Sequence, residues 1–310
     1  MMYLSYFASV FVWQFLNPFG IWQSILQNGG QVIAILRSRI SKTDVPSFSM
    51  SLPFEGYWRV ANGGIDKPTS HSWNILSQRY AYDFICYGKD GKEYAGNGRK
   101  AESYYAFNQD VLAPADGTVI NVRNDIRDYA HAGTGTIDFL TRDIRGNHLI
   151  IRHGEHIYSL IAHLRKNSCR VGRGDFVKRG QVIGKCGNTG HSTQPHIHFH
   201  VQDNPNFYLA IGLPILFKNI EIGHNSSSTL KKITQGCISK NSRVRNLTDE
   251  EENEELLNES PGKIPFAKGE WFSLFTSFLN VLGLSVWLFF LFIWLFRPAL
   301  KAFKLIIGIR

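Results

Sequence analysis

Two kinds of apolar pattern divide this chain. At both ends apolar residues run on without alternation, whereas between about residues 57 and 201 they come in short bursts broken by glycine, proline and aspartate. Residues 41–74 are a turn-rich lead-in with short apolar runs such as 57–60; residues 78–85, 111–122, 135–139, 148–152 and 157–162 each read as a short strand, residues 175–184 as a hairpin, and residues 88–106 as a polar loop. No amphipathic helix long enough to cover a sheet lies between them. The pattern therefore predicts a mainly β fold, an antiparallel β-sandwich-like domain.

The ends read differently. Residues 1–40 are apolar and aromatic, broken at Asn17-Pro18 and diluted by Gly29-Gly30 and glutamines before Arg37 and Arg39. Three readings stay open for this hydrophobic N-terminal segment: a poor transmembrane helix, a pair of interfacial helices, or an appendage packed on the domain. An early positive region is missing, which argues against a cleaved secretion signal. Residues 271–296 carry no charge and are followed by Arg297, Lys301, Lys304 and Arg310. At about 1.5 Å per residue this run is long enough to cross a hydrocarbon core of about 30 Å, so a C-terminal transmembrane helix is expected. Its basic flank then lies in the cytoplasm and the acidic connector DEEENEE (249–255) outside.

The stretch GNTGHSTQPHIHFH (187–200) concentrates the chemistry. In an extended backbone, side chains repeat with period 2, so His196, His198 and His200 share one strand face while Ile197, Phe199 and Val201 occupy the other. Asp83 sits in an otherwise apolar run, and a cation beside it would make burial of that charge tolerable. An HExxH helix is absent, so histidine is the visible candidate for a proton-transferring base.

Charge and cysteine content refine the picture only slightly. The 310 residues include 34 Lys and Arg against 25 Asp and Glu, a formal charge of +9. The basic residues are dispersed, with no arginine-rich helix or aromatic-interleaved strip, so nucleic acid is not expected as a partner. Cys86, Cys169, Cys186 and Cys237 show no CxxC spacing and do not read as a zinc knuckle; a bridge between Cys169 and Cys186 stays open.

Five blocks in order, VLAPADGTV (111–119), GNHLIIRH (146–153), YSLIAHL (158–164), VGRGDFVKRGQVIG (171–184) and GNTGHSTQPHIHF (187–199), resemble the catalytic domain of the lysostaphin-type (LytM-like) zinc metallopeptidases, which cut peptide bonds of bacterial peptidoglycan. The resemblance covers roughly residues 50 to 205. It implies a Zn2+ cofactor, with Asp83 and His198 as metal ligands and His163 and His196 as the catalytic, non-ligand histidines. The family's first ligand stands four residues before the aspartate, where this chain has Arg79. His71, twelve residues before Asp83, is the only upstream histidine and completes the expected set. His148, His153 and His200 are read as structural or as supports of the ligands.

The expected organisation is a hydrophobic N-terminal segment over 1–40, a zinc metallopeptidase domain over 41–220, a polar acidic linker over 221–270, a transmembrane helix over 271–296 and a basic cytoplasmic tail over 297–310. The expected function is a membrane-anchored zinc metalloendopeptidase acting on peptidoglycan peptides, in contact with the lipid bilayer. It would sit in the cell membrane as a single-pass or two-pass protein with an extracellular catalytic domain. Two alternatives remain: a non-hydrolytic wall-binding or regulatory module of the same fold, and an extracellular protein or peptide metalloprotease.

Overall fold

The computed structural model describes residues 2–40, 48–224, 230–251 and 257–258. Two helices, α1 (Met2–Leu16) and α2 (Pro18–Ile40), precede the strands β1 (Phe48–Met50), β2 (Trp58–Asn62), β3 (Tyr82–Ile85), β4 (Asp110–Leu112) and β5 (Gly117–Arg123). There follow β6 (Asn147–Gly154), β7 (Ile157–Leu164), β8 (Phe176–Val177), β9 (Val182–Lys185), β10 (Ile197–Gln202) and β11 (Gly212–Leu213). The last strands are β12 (Ile215–His224), β13 (Lys231–Gly236), β14 (Ser242–Asn246) and β15 (Leu257–Asn258).

The antiparallel sandwich expected from the alternation is corrected to one long mixed sheet. Its path runs β15-β13-β12-β14-β2-β3-β10-β7-β6-β5-β8, with β1 on β12 and β11 on β10, while β4 and β9 form a separate pair. Two pairings are parallel, β1 with β12 and β13 with β15. Strand β12 is long enough to carry β13 along one edge and β1 followed by β14 along the other, which is how parallel and antiparallel neighbours share one strand. The sheet thus continues past residue 220 through β13, β14 and β15. Residues 176–177 and 182–185 are not a hairpin, because β8 joins β5 and β9 joins β4.

Strand β10 lies between β3 and β7. Its inward residues Ile197, Phe199 and Val201 join Tyr82, Phe84, Ile161 and Phe217 in the main core. Each such side chain contributes about 1.5–3 kcal/mol when fully buried, so this face of β10 fixes the register and leaves the imidazole face no freedom to slip.

The N-terminal segment folds as a helical hairpin on the domain. Pro18 takes the first position of α2, and Asn17 caps it by accepting from the backbone of Phe19 (2.9 Å) and Gly20 (3.4 Å). A Cβ on Gly20 would lie 2.0 Å from the Trp13 carbonyl oxygen, so only glycine permits this helix contact. The polar side chains inside the apolar segment point at backbone edges of the domain. Asn17 donates to the carbonyls of Phe139 and Thr141, Gln23 donates to Arg142 and accepts from Ile144, and Gln31 accepts from Leu76. Arg37 pairs with Asp203 at 2.6 Å. Residues 135–139, expected as a strand, instead form an irregular segment under α1, with the backbone N–H of Ile137 donating to Ser9.

Among the described residues no helix is long and apolar enough to cross a membrane. Helix α1 is too short, and α2 carries Gln, Asn, paired Gly and Arg along its length. The stretch 271–296 lies outside the described residues. Nothing among the described residues supports the transmembrane helix, the membrane anchor, the lipid bilayer as a partner or the assignment to the cell membrane with an extracellular domain, and these expectations are not carried further.

A candidate metal centre on the imidazole face of the central strand

Register brings the site together. His198 on β10 is directly opposite Asp83 on β3 and Ala162 on β7. Opposed residues in an antiparallel pair share a face at about 4.5–5.5 Å between Cβ atoms, so a histidine and a carboxylate separated by 115 residues in sequence become neighbours. His198 Nδ1 is 3.0 Å from Asp83 Oδ1. His71 Nε2 approaches the other carboxylate oxygen, Oδ2, at 3.2 Å.

His71 reaches this point on the loop between β2 and β3. Arg79, which stands where the resemblance expects a ligand, is buried. It donates from Nε to the carbonyl of Trp73 (2.9 Å) and lies over that indole, while Ser70 donates to the Arg79 carbonyl (2.6 Å). The loop is thereby closed on itself with His71 turned toward Asp83. The ligand atoms of His71, Asp83 and His198 lie within 4.8 Å of one another, and the three are placed to hold a metal ion. Two nitrogens and a carboxylate oxygen are the donor types zinc takes in catalytic sites, with a further position left for water or substrate, so the set is consistent with Zn2+.

Electrostatics agree. Burial pushes the Asp83 carboxyl up, but the neighbouring imidazoles of His71, His196 and His198 outweigh it and hold Asp83 well below the usual carboxylate range. Burial also lowers His71, and the Asp83 carboxylate more than reverses this, so His71 ends above its ordinary value. For His198 burial wins and the imidazole is lowered despite the neighbouring Asp83 carboxylate.

The two histidines expected to act catalytically lie beside this cluster. His196 Nε2 is 3.5 Å from Asp83 Oδ1, and His196 Nδ1 donates to the carbonyl of Gln194 (2.8 Å). The His163 ring centroid is 4.7 Å from that of His196 and 5.7 Å from that of His198. His163 Nδ1 donates to the Thr189 carbonyl at 2.7 Å, which fixes the tautomer and leaves Nε2 unprotonated. Burial, reinforced by His196 and His198, holds His163 well below its ordinary value.

Regular alternation would have sent His163 into the core. Ile161 belongs to the main core, Leu160 and Ala162 to the opposite face, and yet Leu164 returns to the main core. Asn147 pairs with Leu164 and Leu149 with Ile161, so β7 carries one extra residue there, and His163 has φ +62°. This β-bulge shifts the phase by one and turns His163 onto the imidazole face.

Sequence reasoning missed Asn62, whose Nδ2 donates to Asp83 Oδ2 at 3.2 Å, and Gln202, which continues the row beyond His200. Period 2 along β10 was a signal for Gln202; Asn62 had none. His148 and His153 lie away from the metal cluster and are satisfied by Gly146 and Asn121, and by Asp116 and Ser159. The four cysteines are free.

Residues 101–208 match the family Peptidase_M23 (Peptidase family M23). An uncharacterized metalloprotease of Haemophilus influenzae is 35% identical over 106 residues, covering 34% of this chain and 18% of that protein. The peptidoglycan DD-endopeptidase ShyA of Vibrio cholerae is 31% identical over 125 residues, covering 40% of this chain and 23% of that protein. The chain therefore spans less than a quarter of the length of these two relatives. Among solved structures, the catalytic domain of lysostaphin from Staphylococcus simulans aligns at 18% identity over 50% of this chain and 86% of that one, with a TM-score of 0.28. The residues that match Peptidase family M23 include His163, His196 and His198, and the segments ahead of them add His71 and Asp83 to the same cluster.

Proposed function

We propose that the domain is a zinc metalloendopeptidase that hydrolyses peptide bonds in peptidoglycan-like substrates. The observation that carries the reading is the side-by-side placement of a His71–Asp83–His198 donor set and two further imidazoles whose Nδ1 protons are tied to backbone carbonyls. Zinc bound there supplies a Lewis acid that polarises the scissile carbonyl and makes water a stronger acid. His163, held neutral by burial, takes a proton at Nε2 from the attacking water and returns it to the departing amine. His196, on the Asp83 side of the cluster, stabilises the developing oxyanion by donating from Nε2, a role that requires the imidazolium because its Nδ1 proton is tied to the Gln194 carbonyl. Two imidazoles in different surroundings thus divide base and electrophile roles. The relatives favour wall peptides as the substrate class, ShyA being named a peptidoglycan endopeptidase and a further relative an endolysin of Staphylococcus phage 2638A.

The test is incubation of the zinc-loaded full chain with isolated peptidoglycan and, in parallel, with an unstructured protein, reading new amino termini and product masses. New termini from wall peptides are expected. A zinc-loaded chain that binds walls without releasing any would make it a non-hydrolytic module, and cleavage of the protein alone would move the substrate class to proteins.

A further inference from the structure

The imidazole row does not stop at the metal cluster. His198 Nε2 meets His200 Nδ1 at 3.1 Å, His200 Nε2 meets Gln202 Oε1 at 2.8 Å, and Gln202 Nε2 donates to the Asn204 backbone carbonyl at 2.7 Å. All three side chains are buried, His200 and Gln202 completely. We propose that this relay is a tautomer lock, in which His200 and Gln202 hold the proton of His198 on Nε2 so that Nδ1 is presented as a bare lone pair to the metal; the proposal rests on the zinc reading above.

The direction of every bond follows from the far end. A backbone carbonyl oxygen only accepts, so the atom of Gln202 that faces Asn204 must be the amide nitrogen; the flipped amide would set two oxygens 2.7 Å apart. Gln202 Oε1 is then the atom facing His200, and it too only accepts, so His200 carries its proton on Nε2. The hydrogen-bond partners of His200 are an imidazole and an amide, with no carboxylate among them, so a second proton there would be a buried charge without a counter-ion. His200 Nδ1 therefore accepts, and His198 Nε2 must donate to it. One backbone oxygen thus dictates, through three side chains, that Nε2 of His198 carries a proton, so in the neutral ring, the form that binds a metal, Nδ1 is the free nitrogen. That nitrogen faces Asp83 Oδ1 at 3.0 Å, lone pair against carboxylate, an arrangement that a cation between them relieves.

His200 and Gln202 touch neither metal nor substrate and are positioning residues. Partners that orient metal-binding histidines in this way contribute roughly 10- to 100-fold to metal affinity. The test has two readouts on the full chain. In the metal-free protein, long-range 1H–15N correlation of the histidine rings reports the protonated nitrogen of His198, expected at Nε2. Chelator competition then reports zinc affinity, which should fall roughly 10- to 100-fold in Gln202→Met, where His200 loses its acceptor and the His198 proton redistributes. A second pair covers the case in which Gln202→Met fails to fold: His200→Phe removes the acceptor and should show the same loss, whereas His200→Gln supplies an amide oxygen to His198 and should stay within a few fold of the parent. A His198 proton found on Nδ1 in the parent overturns the proposal, as does parental zinc affinity in folded Gln202→Met or His200→Phe. Because the ring protonation is read without metal or substrate, failure of hydrolysis or of zinc uptake in the parent would strike the proposed function and leave the tautomer result standing.

Discussion

Replacing Asp83 with Asn separates the charge of the site from its shape. The side chain is buried and in contact with His71, His196, His198 and Asn62, at 3.2, 3.5, 3.0 and 3.2 Å respectively. Asparagine keeps the volume and one acceptor but removes the only anion among these contacts. A unit charge pair at about 4 Å and an effective dielectric of about 20 interacts by roughly 4 kcal/mol, and a divalent ion bound directly to the oxygen feels more than that. At about 1.4 kcal/mol per decade, zinc affinity should therefore fall at least 10³-fold. Stability of the metal-free chain should change far less. The carboxamide trades one hydrogen bond with Asn62, worth about 1 kcal/mol, against relief of a buried charge. Chelator-competition titration of zinc beside urea unfolding of the metal-free variant makes both measurements. Zinc held at parental affinity by a folded Asp83→Asn chain would remove the carboxylate from the metal site and refute the assignment. Collapse of the metal-free fold would refute the charge argument instead.

The proton-handling residues should behave differently from the ligands: His163→Ala and His196→Ala should keep the metal yet lower turnover on peptidoglycan by about 10²-fold or more, and parental rates would exclude them from the mechanism. His148 offers a test of acid stability, because burial, with Arg145 adding to it, holds its imidazole down at about 4. The unfolded chain, with a value near 6.5, takes up this proton first, so the contribution is intact above about 6.5 and lost as pH falls toward 4, about 2 kcal/mol by pH 5. Urea midpoints of the parent and His148→Gln at pH 7 and pH 5 measure it, and an identical pH dependence in the two would refute it. Trp13→Ala should destabilise the docked hairpin by roughly 3–5 kcal/mol, since the indole is buried, donates to the Thr141 carbonyl and packs its edge on His191. Limited proteolysis of α1 reports the loosening, and parental resistance would show that the hairpin does not depend on this anchor.

The parts of the site that were legible in the sequence are those governed by local periodicity. HxHxH declares a common face because strand side chains alternate, and β10 obeys that rule from Ile197 to Gln202. Asp83 was legible for the opposite reason, as a charge where an apolar residue should be. What could not be read was set by partners far away in sequence. The parallel pairing of Phe48 with Ile215 joins segments 167 residues apart, and nothing local to either marks its direction. The closing of the His71 loop through Arg79 and Trp73 likewise has no periodic signal. In the N-terminal segment Asn17-Pro18 marked the break between helices, but Gln23 and Gln31 were read as blemishes in an apolar run. Their amides are the groups that bind the helices to exposed backbone of the domain, a use for polar side chains that a lipid environment would not supply.

His163 shows how these non-local contacts converge on the chemistry. A non-glycine residue at φ +62° is disfavoured by roughly 1–2 kcal/mol and persists only where its surroundings determine it. Here the His163 N–H donates to the Arg145 carbonyl, the N–H of Gly187 donates to the His163 carbonyl, and the ring is tied to Thr189. Three hydrogen bonds at about 1 kcal/mol each are enough to hold the bulge. Two of the anchoring segments are themselves braced. A Cβ on Gly146, next to Arg145, would lie 2.3 Å from the Thr189 hydroxyl oxygen, so the two segments touch only because that residue is glycine. Gln23 of α2 holds the Arg142 carbonyl and the Ile144 N–H, and the Ile144 carbonyl in turn accepts from His191. The helical hairpin therefore buttresses the turn that keeps the His163 imidazole off its regular strand position. The apolar N-terminal segment is thereby part of the framework of the site, although none of its described residues belongs to the metal cluster.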